Sequence, residues 1–276
     1  MGTSESALWQ EMSTADLDAY LQRIGYAGSR APTPETLQAL HFAHATSIPF
    51  ENLDIQLGLP IRLDLPSLQA KLVAAKRGGY CFEQNTLFAA ALEAVGFRVT
   101  RLAGRVGPRS NRTRSRSHML LAVEAGGADW LADVGFGADT LLLPMPLAPG
   151  SEVRQHAWSY RTEADGPLRV LQSLQGDVWS DLYSFTIEEQ FPIDYVVANH
   201  YTSTHPDSIF VRTLTAQLPG PGVRWILRNR ELIESRPETQ ARTWIGDDDG
   251  LLRLLSERFG IVLAPGARFP VLTLGQ

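Results

Sequence analysis

With 276 residues, 44% of them hydrophobic and 20% charged, the chain can build a substantial core, and it exceeds the usual size of one domain, so two or three subdomains are expected. A net charge of -5 excludes a surface that as a whole recruits nucleic acid or anionic membrane. The single cysteine, Cys81, excludes an internal disulfide and a cysteine-built zinc site, and a reducing cytoplasm fits best.

Met1 to Met12 lacks the basic segment and apolar run of a signal peptide, and no stretch is apolar for long enough to span a bilayer. Met1-Gly2-Thr3-Ser4-Glu5-Ser6 fits a loose myristoylation pattern, and Asn111-Arg112-Thr113 fits a glycosylation acceptor. Both patterns are short and carry little information alone. Ser13 or Thr14 caps a first helix, with Leu17, Tyr20, Leu21 and Ile24 at helical spacing and Gly25 as its stop. Thr33-Pro34-Glu35 opens a second helix, which carries Leu37, Leu40, His41 and His44 along one side. Ile48-Pro49-Phe50-Glu51-Asn52-Leu53 breaks it. Ser67 is expected to cap a third helix, closed by Gly78-Gly79. A fourth runs from near Cys81 to Gly96, with Phe88, Leu92 and Val95 on one face.

From Arg98 the period changes to two. Strands are expected at Arg98 to Val106, Met119 to Val123, Trp130 to Val134, Trp158 to Thr162, Leu168 to Leu174, Trp179 to Thr186 and Phe210 to Leu218. Val223 to Ser235 reads as a hairpin turning at Arg228-Asn229-Arg230, and Asp249 caps a last helix ended by Gly260. Helices first, strands in the middle and a mixed tail point to an α+β fold, since a doubly wound sheet would alternate the two.

Cys81 sits between two glycines and a helical pattern. The glycines allow a sharp turn and leave room beside the thiol, and the helix N-terminus favours a thiolate. The competing reading is a buried cysteine acting as a small hydrophobe, which is the commoner fate of a free cysteine. A nucleophile needs a base, and the base an orienting partner. His118 begins an apolar strand after a polar loop, and Asp133 ends the next one. Neighbouring strands can bring them together, and an imidazole N–H would satisfy a carboxylate among apolar neighbours. The alternatives are a water-facing histidine at a strand end and a turn-capping aspartate.

Arg77-Gly78-Gly79-Tyr80-Cys81-Phe82-Glu83-Gln84-Asn85 resembles the active-site signature of the arylamine N-acetyltransferase family. Ile48-Pro49-Phe50-Glu51-Asn52-Leu53, Ser117-His118-Met119, Asp133-Val134-Gly135-Phe136-Gly137 and Asn199-His200-Tyr201-Thr202-Ser203-Thr204-His205-Pro206, with Ser208 and Phe210, resemble further family blocks in the same order. The resemblance runs from about Leu37 to Phe210. It implies a papain/transglutaminase-like, cysteine-protease-like core: a helical bundle (1–97), a β-barrel (98–206) and an α/β lid (207–276). It implies a Cys81-His118-Asp133 triad in a cytoplasmic enzyme. That enzyme takes acetyl from acetyl-CoA, its co-substrate, and passes it to an arylamine, hydrazine or arylhydroxylamine. It implies an aromatic acceptor pocket from Phe50, Phe82, Phe136 and Phe210, and CoA contacts from Ser115, Ser117 and Tyr201. No metal, nucleic acid or membrane partner is expected; a homodimer is left open. A thiol hydrolase or protease on the same triad is the nearest alternative, because the triad does not choose between amine and water.

Four further expectations stand beside these. Arg105, Arg109, Arg112, Arg114 and Arg116 form a basic run that could meet the phosphates of CoA or simply be a solvated loop. Arg77 and Glu51 are expected to pair. His41 and His44 have a spacing a metal could use, but no third ligand is evident and helix packing is favoured. His200 and His205 are expected in a loop block near the CoA entrance.

Overall fold

In the computed structural model, residues 11–109 and 113–272 are described. The myristoylation pattern at 1–6, Asn111 and Arg112 lie outside them. Helix α1 (Thr14–Arg23) starts where the Ser13 hydroxyl accepts the Asp16 N–H, and α2 (Pro34–Ser47) where the Thr33 hydroxyl accepts the Thr36 N–H. Strand β1 (Phe50–Glu51) and the single turn α3 (Leu53–Gln56) follow. The next helix starts at Asp64 rather than at Ser67. The Asp64 carboxylate accepts the Ser67 N–H, and α4 (Leu65–Leu68) continues as a π-helical stretch over Gln69–Ala74. Pro66 explains the shift: proline belongs in a first helical turn, so the cap must precede it. This helical run closes through Lys76, ahead of the glycine pair.

Helix α5 (Cys81–Val95) is the axis of the N-terminal part. Every residue from Cys81 to Leu92 is buried, as expected of a helix enclosed by protein on all sides. Its Phe82, Leu87, Phe88 and Leu92 share a core with Leu17 and Tyr20 of α1 and Leu37 and Leu40 of α2.

Eight strands come next: β2 (Arg98–Val106), β3 (His118–Ala125), β4 (Ala128–Ala132), β5 (Met145–Pro146), β6 (Glu152–Gln155), β7 (Trp158–Asp165), β8 (Leu168–Gln175) and β9 (Val178–Phe185). They form one antiparallel sheet in the order β5-β4-β3-β2-β9-β8-β7-β6. Side chains stitch its two ends together. Gln155 on β6 accepts the N–H groups of Leu142 and Leu143 and donates to the Leu143 carbonyl, and the Thr162 hydroxyl donates to the Ala148 carbonyl. The sheet is thus a nearly closed barrel with little free edge. Strand β3 is covered on both faces: Met119, Leu121, Val123 and Ala125 join the helical core, while Leu120 joins Leu102, Leu131 and Tyr183 inside the barrel.

Gly126-Gly127 joins β3 to β4 with φ of 61° and 76°. A two-residue hairpin turn of this hand needs positive φ at both positions, which glycine supplies at least cost. The turn sets the register Leu121↔Ala132 and Val123↔Trp130, and so decides where the residues just after β4 fall relative to His118.

The remaining elements are α6 (Pro192–Thr204), α7 (Ile209–Arg212), β10 (Thr215–Pro219), β11 (Arg224–Arg228), β12 (Glu231–Ser235), β13 (Gln240–Trp244) and α8 (Asp248–Phe259). The strand expected from Phe210 begins only at Thr215. The Ser208 hydroxyl accepts the Phe210 N–H and winds Ile209–Arg212 into a helical turn. Asp247, not Asp249, caps α8: it has extended backbone and its carboxylate accepts the Gly250 N–H. The second sheet has the order β1-β10-β11-β12-β13, so the N-terminal part supplies its first strand, with Phe50↔Gln217 and Glu51↔Ala216. Leu251, Leu255 and Phe259 of α8 pack on Leu227 and Leu232 of this sheet. Among the described residues no helix is long and apolar enough to cross a membrane.

Candidate active site

The loop ahead of α5 is held from two sides. Below it, Arg77 donates from Nε to Glu51 Oε1 at 2.9 Å and from an Nη to Asp54 Oδ1 at 2.9 Å, so the expected pair with Glu51 is formed and Asp54 joins it. Glu51 Oε2 accepts the Leu53 N–H. Lys71 bridges Asp54 and Glu83, 2.7 Å from each. Glu83 in turn accepts the Tyr80 N–H and so caps α5. Burial lifts the Glu83 carboxyl to about 7 even with Lys71 beside it.

Above the loop, Gly78 lies against the Pro49 carbonyl. A Cβ there would stand 2.0 Å from that oxygen and 2.9 Å from Glu51 Cγ. The same carbonyl accepts the Gly79 N–H, so it cannot retreat without losing that bond. Gly78→Ala is therefore expected to cost about 2–3 kcal/mol, the scale of an overpacked site. A urea midpoint equal to the parent's would refute this close approach.

Cys81 is the first residue of α5 and is 3% exposed, with Sγ 3.7 Å from the Ser117 carbonyl oxygen. The His118 ring lies between Cys81 and Asp133. Its Nε2 is 2.7 Å from Asp133 Oδ2, and the Cys81 side chain hydrogen-bonds to the ring as well. Asp133 is fully buried. Its Oδ1 accepts the Asn85 Nδ2–H at 3.0 Å and the Gly135 N–H at 2.9 Å, so the carboxylate has a donor at each oxygen. Burial alone would lower the His118 pKa, but the charge and hydrogen bond of Asp133, with Cys81 adding to them, lift it to about 10. Burial alone would raise the Asp133 carboxyl, yet His118, Asn85 and the Gly135 amide hold it below the usual carboxylate range. The arrangement thus favours a protonated ring between two groups that can carry negative charge.

Two residues at this centre escape sequence reading in different degrees. Asn85, one helical turn past Cys81, also donates to the Met119 carbonyl and accepts the Val134 N–H, tying β3 to the segment after β4. A polar residue on the buried face of α5 was its signal. Tyr183 on β9 lies 4.8 Å from the His118 ring and 5.0 Å from Phe136, and nothing local in the sequence announces it.

The aromatic residues fall into two groups. Phe136 packs edge-on against His118 at 5.0 Å. Phe50, Phe82 and Phe210 are linked through Tyr80, with Phe210 5.9 Å from Phe50 and 5.5 Å from Tyr80, and Phe82 5.4 Å from Tyr80. Phe82 is buried in the core, also against Tyr195, and Phe50 is buried, while Phe136 and Phe210 are half-buried. Asn52 and Gln56 donate to the Phe210 carbonyl, so the upstream motif holds the turn that carries this ring.

Ser115, Ser117 and Tyr201 line one groove of about 360 Å³ together with Arg116, Tyr195 and Val197. The expected loop block is instead α6, with Tyr201 stacked on His205 at 4.4 Å. The basic run is divided. Arg109 is engaged by Asp181 and Glu163, Arg105 donates to the Arg114 carbonyl, and Arg116 pairs with Glu188 beside the groove. His41 and His44 are fully buried; His44 bonds Tyr20 and Gln84 within the helical part, whereas His41 reaches the Leu142 carbonyl and the Asp133 backbone N–H in the barrel segment.

A cysteine at a helix N-terminus, with an imidazole and a buried carboxylate aligned behind it on an α+β scaffold of cysteine-protease-like type, defines a cysteine-based enzyme. The model of the N-acetyltransferase family matches residues 33–268, and the chain belongs to that family. An arylamine N-acetyltransferase of Mycobacterium tuberculosis is 40% identical over 259 residues, covering 90% of each chain. Among solved structures, the Nocardia farcinica arylamine N-acetyltransferase is 40% identical with a TM-score of 0.87, covering 98% of this chain and 96% of its own. The Mycobacterium marinum arylamine N-acetyltransferase in complex with CoA is 38% identical with a TM-score of 0.85, covering 89% and 92%.

Proposed function

We propose that the chain transfers acetyl from acetyl-CoA to an aromatic amine or hydrazine through a thioester on Cys81. The observation that carries this is the buried line Cys81, His118, Asp133 in a chain of this family. His118 Nε2 donates to Asp133, so the neutral ring offers Nδ1 to the thiol. The proton passes from Cys81 to that nitrogen, and the sulfur attacks the thioester carbonyl carbon. The tetrahedral oxyanion lies near the Cys81 backbone N–H, one of the first-turn donors that a helix leaves unengaged. CoA leaves as its thiol, with the proton returned by His118. An amine nitrogen then attacks the acetyl-cysteine carbonyl, His118 removes its proton, and the amide departs as Cys81 regains the sulfur's electrons and its proton.

On this reading the groove lined by Ser117, whose carbonyl the Cys81 sulfur approaches, holds part of CoA through Ser115, Ser117 and Tyr201, with Arg116 alongside. Phe136 and Phe210, the half-buried rings, flank a flat acceptor, and Phe50 and Phe82 support them from the core. The chain then divides near residues 97 and 206, with the third part acting as a lid that β1 anchors. The enzyme works without a metal, and the cytoplasm is its site of action.

Incubated with acetyl-CoA, the protein is expected to gain one acetyl group, located to Cys81 by peptide mapping. An aromatic amine should remove it much faster than water does. A protein that never acquires acetyl sinks the transferase, and discharge at the same rate with and without amine makes it a thioester hydrolase.

A further inference from the structure

The mechanism leaves two buried histidines of α2 unused, His41 and His44, and one of them touches the site. His41 on α2 lies directly behind Asp133: its Nε2 is 3.1 Å from the Asp133 backbone nitrogen and its Nδ1 is 3.2 Å from the Leu142 carbonyl oxygen. A backbone N–H can only donate and a carbonyl can only accept, so the ring is the Nδ1–H tautomer with an Nε2 lone pair aimed at Asp133. Burial pushes His41 down to about 4, which keeps it neutral and able to accept. Asn85 and Thr140 hold the peptide that follows Asp133, while His41 is the acceptor that the Asp133 N–H itself has. The residue follows the end of β4, whose ladder stops at Ala132, and its carbonyl accepts the Thr140 hydroxyl at 2.6 Å.

We infer that His41 is a positioning residue of the transfer reaction: its Nε2 lone pair fixes the Asp133 backbone, and through it the carboxylate that orients His118. This rests on the triad proposed above. A buried N–H without an acceptor costs about 1–3 kcal/mol, enough for the segment after β4 to rearrange toward another partner. Moving the carboxylate by about 1 Å would reduce turnover by roughly a hundredfold. His44, three residues along α2, plays no part in this contact; it bonds Gln84 and Tyr20 instead.

Two substitutions separate the two ends of the ring. His41→Gln puts an amide oxygen near the Nε2 position and keeps the acceptor for Asp133. His41→Asn reaches only as far as Nδ1 and keeps the donor for Leu142. The measurement is the rate of Cys81 acetylation by acetyl-CoA against pH, with thermal unfolding of each variant alongside. The titratable groups facing His118 are Cys81 on α5, Asp133 after β4 and Tyr183 on β9, so the alkaline limb of that profile reports on the ring that Asp133 lifts to about 10. We expect His41→Gln to stay within about threefold of the parent, and His41→Asn to lose roughly 10- to 100-fold with its alkaline limb moved to lower pH. If the Asn variant does not fold, His41→Leu, which fills similar volume without a polar atom, is judged by the same standard. Equal losses in the Gln and Asn variants, or a parental rate and limb in the Asn variant, overturn the positioning role. If instead Asp133→Asn leaves the parental rate, the triad fails and not merely its support.

Discussion

Asp133→Asn is expected to slow acetylation of Cys81 by about 10⁴-fold while leaving the protein folded, the loss seen when a triad carboxylate becomes an amide. The cause can be traced atom by atom. Oδ1 accepts two N–H groups, from Asn85 and Gly135, so in the variant this position must remain oxygen. The new NH₂ then occupies the position of Oδ2 and faces His118 Nε2, 2.7 Å away in the parent. Two donors cannot share that contact, so the neutral ring moves its proton to Nδ1. The nitrogen that should receive the Cys81 proton is then already protonated. The ring also loses the charge that lifts it to about 10, so the surviving activity should show an alkaline limb at lower pH than the parent's. Single-turnover acetylation across pH measures both effects. A loss smaller than about tenfold would mean that Asp133 orients nothing of consequence.

The parts of this site that could be read from the chain were those whose chemistry is local. Gly78-Gly79 ahead of Cys81, and α5 after it, announce a sharp turn into a buried helix. His118 stands at the start of one expected strand and Asp133 at the end of the next, so neighbouring strands could bring them together, while the Gly126-Gly127 turn that sets the register emerges from the fold. Tyr183 could not be read this way, because β9 reaches His118 only by pairing with β2 across some 80 residues of chain. Helix α6 was hidden for another reason: Ile193 and Val197 face outward, so its apolar residues do not trace a buried stripe. The strand expected at Phe210 failed because one serine hydroxyl outweighed the apolar run after it. His41 was legible as a helix-packing residue, but its partner lies 92 residues away in sequence, and only the folded structure shows which backbone N–H it meets.

Arg77→Met is expected to destabilise the protein by about 3–5 kcal/mol, the cost of leaving buried charge without its partner. That is a large share of the roughly 5–15 kcal/mol by which a domain is stable. Glu51, Asp54 and Glu83 face only two cations here, Arg77 and Lys71. Without Arg77, three carboxylates share one lysine, and Glu51 is 0% exposed, with only the Leu53 N–H left to it among the bonds described above. The pH dependence distinguishes this from lost packing. Burial raises Asp54, but in the parent Lys71 and Arg77 outweigh it and hold the carboxyl below its ordinary range. Its stabilising contribution is therefore present above the unfolded pKa and lost as pH falls through the lower folded one. In the variant Asp54 loses one of its two cations and its carboxyl rises, so the folded state takes up more protons on acidification than the parent, in which Glu83 is already raised to about 7. The deficit should thus narrow between about pH 8 and about pH 5 when followed by urea unfolding. A constant deficit would assign the loss to packing of the arginine stem. The effect should also reach the nucleophile, because Lys71 would then be drawn toward Glu51 and away from Glu83, whose carboxylate caps the helix that begins at Cys81.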